Sequence, residues 1–215
     1  MQNLELRKQL ITTVQAFNTS GLSAGTSGNL SARIEGGFLI TPTGITYATL
    51  KPDDIVGLDT QGRVTAGHKQ PSSEWPFHRD LYNSRTDVCA IVHVHSPYAT
   101  AIACTRKQIP AFHYMVAVAG GNSIRCAGYA TFGTEKLSSN ILEALQDRNA
   151  CLLANHGLVA VAGDIGSAFK LAQDVEILAQ QYCLSVQMGG PVILDEPEMQ
   201  VNLAKFRNYG KQDGD

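Results

Sequence analysis

Apolar residues recur at helical spacing over residues 3–20, where Leu6, Leu10, Val14 and Phe17 share one face before Gly21 ends the pattern. This predicts an amphipathic helix. GLSAGTSGNLS then breaks the periodicity with Gly21, Gly25 and Gly28. Strand-like pieces follow at 30–34, 37–41 and 55–58, separated by EGG, TPTG and KPDD, which read as turns. Residues 73–84 read as a helix with Pro76 near its start, where proline is tolerated. VCAIVHV, 88–94, is β-branched and bounded, and predicts a buried strand. A short helix at 99–104 and an amphipathic one at 135–148 come next, then two strands, 151–155 and 158–162, around a tight HG turn. The longest helix spans 164–187, with Ile165, Ala168, Ala172, Val175, Ala179, Tyr182 and Val186 facing inward and Asp164 as N-cap. A last helix covers 196–208, and the polar tail KQDGD is expected to fray.

Strands and helices mix without strict alternation. That argues for an α/β fold in which helices cover a sheet with some antiparallel pairing, rather than a doubly wound nucleotide fold. No repeat or linker divides the chain, and 215 residues suit one domain over 1–215.

Composition narrows the function classes. The net charge is −2 and no basic run exceeds two residues, so no nucleic-acid partner is expected. No apolar run reaches the ~18 residues of a membrane span, and the charged N-terminus lacks a signal peptide's apolar stretch. The five cysteines, Cys89, Cys104, Cys126, Cys151 and Cys183, are odd in number and form no CxxC pair. They read as reduced, buried thiols of a cytoplasmic protein.

Four places carry candidate chemistry. His93 and His95 lie at i and i+2 on a strand, so both rings project from one face and offer two imidazoles to a divalent metal such as zinc. The spacing alone also allows one core and one solvent-facing histidine. In Asn155-His156-Gly157 a histidine follows an apolar strand; Gly157 permits a sharp reversal that aims the ring inward, or His156 is a plain turn residue. Glu74 opens a helix, where a carboxylate either favours the helix N-terminus or completes a set of three histidines and a carboxylate. His78, four residues on, is a weaker candidate and reads better as a supporting histidine; His68 and His113 are not assigned to the metal. Small polar loops at Gly25–Asn29, Thr41–Gly44 and Ser72-Ser73 offer the N–H and hydroxyl donors that suit a phosphate. Neither a P-loop nor a GxSxG elbow occurs.

GTSGNLSARIEGGFLITPTGI, KQPSSEWPFH, VHVHSPYATAIAC, IPAFHYMVAVAGGNSIRCAGYATFGT and NHGLVA follow one another in an order and spacing that resemble the class II aldolase/adducin family over nearly the whole chain. The resemblance implies a three-layer α/β domain with a mostly antiparallel central sheet between helices. It implies a homotetramer of fourfold cyclic symmetry with active sites at subunit interfaces. It places Glu74, His93, His95 and His156 on zinc-ligand positions and Gly28, Asn29, Thr43, Gly44, Ser72 and Ser73 on phosphate-binding positions. Tyr114 falls on a proton donor that serves a neighbouring subunit, and Phe132 and Tyr209 on positions that hold an aldehyde. The implied activity is metal-dependent cleavage of a ketose 1-phosphate to dihydroxyacetone phosphate and a short aldehyde, with Glu74 displaced from the metal to shuttle a proton. The tail after Tyr209 departs from the family pattern. A sugar-phosphate 4-epimerase, a methylthio-ketose-phosphate dehydratase and an adducin-like binding module are the rivals. SSEW speaks against the first, HYMVAVAGG against the second and the complete ligand set against the third.

Overall fold

A computed structural model describes residues 2–206. The last two residues of the predicted final helix, Tyr209 and the KQDGD tail lie outside the described residues. The chain runs α1 (Leu4–Thr19), β1 (Asn29–Ile34), β2 (Gly37–Ile40), β3 (Val56–Asp59), β4 (Val64–Ala66), α2 (Trp75–Ser84), β5 (Ala90–Val94) and α3 (Pro97–Cys104). It continues through β6 (Arg125–Ala127), α4 (Glu135–Ala144), β7 (Ala150–Leu153), β8 (Gly157–Ala162), α5 (Ile165–Gln187) and α6 (Glu196–Phe206). Among the described residues these strands form one sheet in the order β4-β3-β2-β1-β5-β8-β7-β6. Neighbours pair antiparallel except β6 with β7.

The period of two along each strand divides the apolar residues between two layers. Leu30, Ala32, Ala90, Val92, Val94, Leu158 and Ala160 meet Leu10, Val14 and Phe17 of α1 and the buried faces of α3 and α5. The alternate residues Ile91, Val159 and Val161 meet Phe77 and Leu81 of α2 and Leu137 and Ile141 of α4. The result is the expected helix–sheet–helix sandwich. His93 shares its parity with Ile91, so the HVH pair points into the α2–α4 layer at the end of the central strand β5.

The boundaries show where local pattern is overridden. β4 and β6 have three residues each, too few to display alternation, and the sequence does not announce them. The amphipathic pattern at 135–148 ends at Ala144. The chain must reverse there to bring Ala150 into β7, and Asp147 takes the left-handed conformation that does so (φ 54°). Asp164 caps α5 as expected, its carboxylate accepting from the Ser167 N–H at 2.8 Å. The predicted inward face of α5 holds through Ala179, but Tyr182 is half-buried and Val186 exposed, because the helix overhangs the sheet at its C-terminal end. The cysteines are free thiols, but only Cys151 is fully buried; Cys104 is exposed, since it closes the short helix α3. Among the described residues no helix is long and apolar enough to cross a membrane.

Candidate metal centre

Four ligand-type atoms converge at the end of β5. Atoms of Glu74, His93, His95 and His156 all lie within 4.8 Å of one another. His93 Nε2 is 3.0 Å from His95 Nε2 and 3.1 Å from Glu74 Oε2, and His156 Nε2 is 3.4 Å from Glu74 Oε1. A tetrahedral zinc with bonds of ~2.0–2.1 Å sets donor separations of about 3.3 Å. The three approaches bracket that spacing, and imidazole with carboxylate is a donor set that suits zinc and its divalent neighbours.

Each of these side chains is placed for a backbone reason. β1 pairs with β5 so that Asn29 lies directly opposite His93. Gly28 makes the close approach possible: its φ is +86°, and a Cβ there would come within 2.5 Å of the His93 carbonyl. In the NHG turn the roles differ from expectation. Asn155 is the residue in the left-handed conformation (φ 56°), which Asn tolerates better than most. Gly157 is needed for space, because a Cβ would meet the Val94 carbonyl at 2.4 Å and the His95 ring at 2.9 Å. His93 Nδ1 lies 2.9 Å from the Leu158 carbonyl. A carbonyl only accepts, so Nδ1 donates and Nε2 is aimed at the cluster; such a hydrogen bond from the far ring nitrogen is what orients metal-binding histidines.

Glu74 occupies the N-cap position of α2 but makes no side-chain cap hydrogen bond. Its carboxylate is buried among the rings instead. Oε2 accepts from Asn29 Nδ2 at 3.0 Å, while Oε1 is buried with no hydrogen-bond partner among the described residues. An orphaned buried carboxylate oxygen is costly, and a cation in contact with it removes the cost. The charges agree. Burial pushes the Glu74 carboxyl up, but His93, His156 and the Asn29 amide outweigh it and hold the group below the usual carboxylate range. Burial pushes His93 down, and the Glu74 carboxylate more than reverses that. Burial, and then the neighbouring imidazoles, bring His95 and His156 to about 4. The cluster stabilises positive charge between Glu74 and His93 and keeps its other two rings neutral, as metal ligands must be.

The three polar loops meet beside this cluster. Tyr47 donates its hydroxyl to the Gly28 carbonyl at 2.6 Å. The Thr43 N–H bonds the Gln70 carbonyl at 3.1 Å and the Ser72 N–H the Thr41 carbonyl at 3.0 Å. Ser72 Oγ accepts from the Glu74 N–H at 3.3 Å. Thr43, Gly44 and Ser73 are exposed, Gly28 half-buried, and Ser72 and Asn29 buried.

A sequence model of the class II aldolase and adducin N-terminal domain matches residues 8–183. The chain belongs to this family. It is 50% identical over 207 residues to the 5-methylthioribulose-1-phosphate/5-deoxyribulose-1-phosphate aldolase of Rhodospirillum rubrum, covering 96% of this chain and 93% of that one. It is 46% identical over 211 residues to the L-fuculose phosphate aldolase of Escherichia coli K12, covering 98% of each. A solved L-fuculose 1-phosphate aldolase superposes with a TM-score of 0.93 at 42% identity, over 96% of this chain and 98% of that one. These relatives make the protein a metal-dependent aldolase, a lyase.

Not every candidate residue of this aldolase joins the cluster. Tyr114 is 48% exposed and opens a 3₁₀ segment (Tyr114–Ala119) whose buried side chains pack in the α1–α3–α5 layer; its ring stacks on His113 and Phe206. Phe132 is exposed, next to Gly133, where a Cβ would sit 2.8 Å from the Ser73 carbonyl. His113 accepts from the Met115 N–H and His68 lies 3.8 Å from Asp54. His78 is fully buried with both ring nitrogens engaged by protein, so it is not a ligand. Sequence reasoning misses what His78 touches: Ser31, and Asn29, whose amide it links to Glu74. The signal is present as the i, i+2 pair Asn29 and Ser31 and the i, i+4, i+8 series Glu74, His78 and Tyr82.

Proposed function

We propose that this protein reversibly cleaves a ketose 1-phosphate between carbons 3 and 4, giving dihydroxyacetone phosphate and a short aldehyde. The observation that carries the reading is the convergence of Glu74, His93, His95 and His156 with one buried carboxylate oxygen that has no hydrogen-bond partner among the described residues. These four residues would hold a divalent ion, zinc on our reading, which would supply Lewis-acid stabilisation of the charge that develops on cleavage. Glu74 carries the proton at the reacting carbon, a role that typically contributes ~10²–10⁴-fold; the placement of its buried carboxylate among the rings of the cluster supports this. Gly28, Asn29, Thr43, Gly44, Ser72 and Ser73 receive the phosphate through N–H and hydroxyl donors. Binding there, away from the broken bond, orients the reacting atoms.

Tyr114 handles the proton on the aldehyde oxygen in a neighbouring subunit of a fourfold homotetramer, where Phe132 and Tyr209 hold the aldehyde. The exposure of Tyr114 and Phe132 supports a shared site. Free thiols fit a reducing compartment such as the cytoplasm. L-Fuculose 1-phosphate, yielding L-lactaldehyde, is the first substrate to test. The 50% identity to the Rhodospirillum rubrum enzyme favours 5-deoxyribulose 1-phosphate as a second reading. Steady-state rates on a panel of ketose 1-phosphates, with dihydroxyacetone phosphate detected by a coupled assay, separate the two. Absence of cleavage across the panel by metal-loaded protein overturns the proposal. Tyr114→Phe is expected to lower cleavage at least ~10²-fold; an unchanged rate removes Tyr114 from the reaction.

A further inference from the structure

Five polar side chains form one connected line through the otherwise apolar α2–α4 layer. Tyr82 Oη lies 2.7 Å from Ser31 Oγ, Ser31 Oγ 2.7 Å from His78 Nδ1, His78 Nε2 2.6 Å from Asn29 Oδ1, and Asn29 Nδ2 3.0 Å from Glu74 Oε2. His78 and Ser31 are fully buried, and Asn29 and Tyr82 nearly so. The direction of every bond follows from the carboxylate at the end. Glu74 Oε2 can only accept, so the Asn29 amide donates and its oxygen faces His78. That oxygen can only accept, so His78 carries its proton on Nε2. A neutral ring then accepts at Nδ1 from the Ser31 hydroxyl, and Ser31 in turn accepts from Tyr82. All the donors point toward Glu74, and such a chain polarises cooperatively in a low-dielectric interior.

We propose that His78 is a positioning residue for the metal centre: through Asn29 it fixes one oxygen of Glu74 and leaves the other free to meet the cation. This accounts for the asymmetry of the carboxylate, in which Oε2 is held and Oε1 has no hydrogen-bond partner among the described residues. It also accounts for an imidazole stacked 4.3 Å from Phe77 in an apolar layer, where a hydrocarbon side chain would pack without needing partners. A carboxylate held at one oxygen can leave the cation without swinging away from the reacting carbon. That catalytic consequence rests on the aldolase reading given above; the effect on metal affinity does not.

The test compares His78→Leu, which removes both hydrogen bonds, with His78→Gln, whose amide can donate to Asn29 from the place of Nε2. Zinc affinity of the full chain is measured by competition with a chromophoric chelator, alongside kcat, KM and thermal unfolding of the metal-free protein. His78→Leu is expected to bind zinc ~10–100-fold more weakly, the range typical when a residue that hydrogen-bonds to a metal ligand is lost. Its kcat should fall in parallel and its KM move less than about threefold, while His78→Gln recovers most of both losses. Wild-type zinc affinity in folded His78→Leu overturns the proposal, as does equal loss in the Leu and Gln variants. If His78→Leu does not fold, Ser31→Ala serves instead: it removes the hydrogen bond that holds the ring at Nδ1, and unchanged zinc affinity there overturns the proposal too. Wild-type protein that binds zinc but cleaves no ketose 1-phosphate sinks the aldolase reading alone, and the affinity comparison still decides the role of His78.

Discussion

Glu74 sits at the N-cap of α2, yet its carboxylate caps nothing. Helix-start and metal-ligand roles predict the same residue type at the same place, and only the direction of the side chain separates them. Here it turns from the α2 N–H groups to three imidazoles and an amide. Glu74→Gln keeps the volume and removes the charge. We expect turnover to fall ~10²-fold or more, with zinc content measured on the same sample; near-wild-type turnover takes Glu74 out of the proton transfer. Gly157 makes a second residue-scale prediction. A methyl group there would overlap the Val94 carbonyl and press on the His95 ring. Gly157→Ala is expected to destabilise the fold by about 1–3 kcal/mol, as overpacking does, and to weaken zinc binding because it displaces a ligand. Denaturant unfolding and chelator competition read the two effects separately.

Elements carry the site as rigid mounts. β5 is central, fully buried and paired on both sides, so His93 sits on an inflexible strand and His95 follows directly after its last residue. β8 supplies the Leu158 carbonyl that orients His93, and the turn before β8 supplies His156. α3 begins just beyond His95, and Glu176 of α5 accepts from its Tyr98 and Ala99 N–H groups at 2.8 and 2.9 Å. That tertiary cap anchors the chain as it leaves the cluster. A local cap of the same kind holds the start of α5. Asp164→Ala should cost roughly 0.5–2 kcal/mol of stability and leave zinc affinity unchanged, since the cap lies at the far end of β8 from His156. A variant that lost zinc in proportion to stability would show that the two ends of β8 are coupled.

At the scale of the molecule, two apolar layers clamp the sheet and the polar centre lies at one end of it. Without an ion, Glu74 Oε1 is buried with no hydrogen-bond partner among the described residues, so the metal-free protein should be less stable than the metal-loaded one. Ligand linkage gives about 2.7 kcal/mol when zinc is at 100 times its Kd, read as a fall in Tm after chelation that zinc restores. An unchanged Tm would mean that no ion binds the folded form preferentially. The proposed sharing of the site between subunits makes a further prediction. Glu74→Gln and Tyr114→Phe proteins, each nearly inactive alone, should regain activity when unfolded and reassembled together, because some sites then combine an intact Glu74 with an intact Tyr114. No recovery on mixing would place Tyr114 in its own subunit's site or outside the reaction.

The sequence by itself determined the long amphipathic helices, the buried strands, the cap at Asp164 and the ligand types at His93, His95, His156 and Glu74. Each depends on a local rule: a period of 3.6 or 2, a capping side chain, a donor chemistry. The short strands β4 and β6 escaped because three residues display no period. Tertiary structure alone decided the rest. The antiparallel register that sets Asn29 opposite His93, the packing of α2 that brings Glu74 and His78 over β1, and the backbone contacts that require glycine at 28 and 157 all join residues far apart in the chain. No local pattern encodes such proximity. It comes from burying two faces of one sheet at once, and that burial turns four ligand-type residues into one centre.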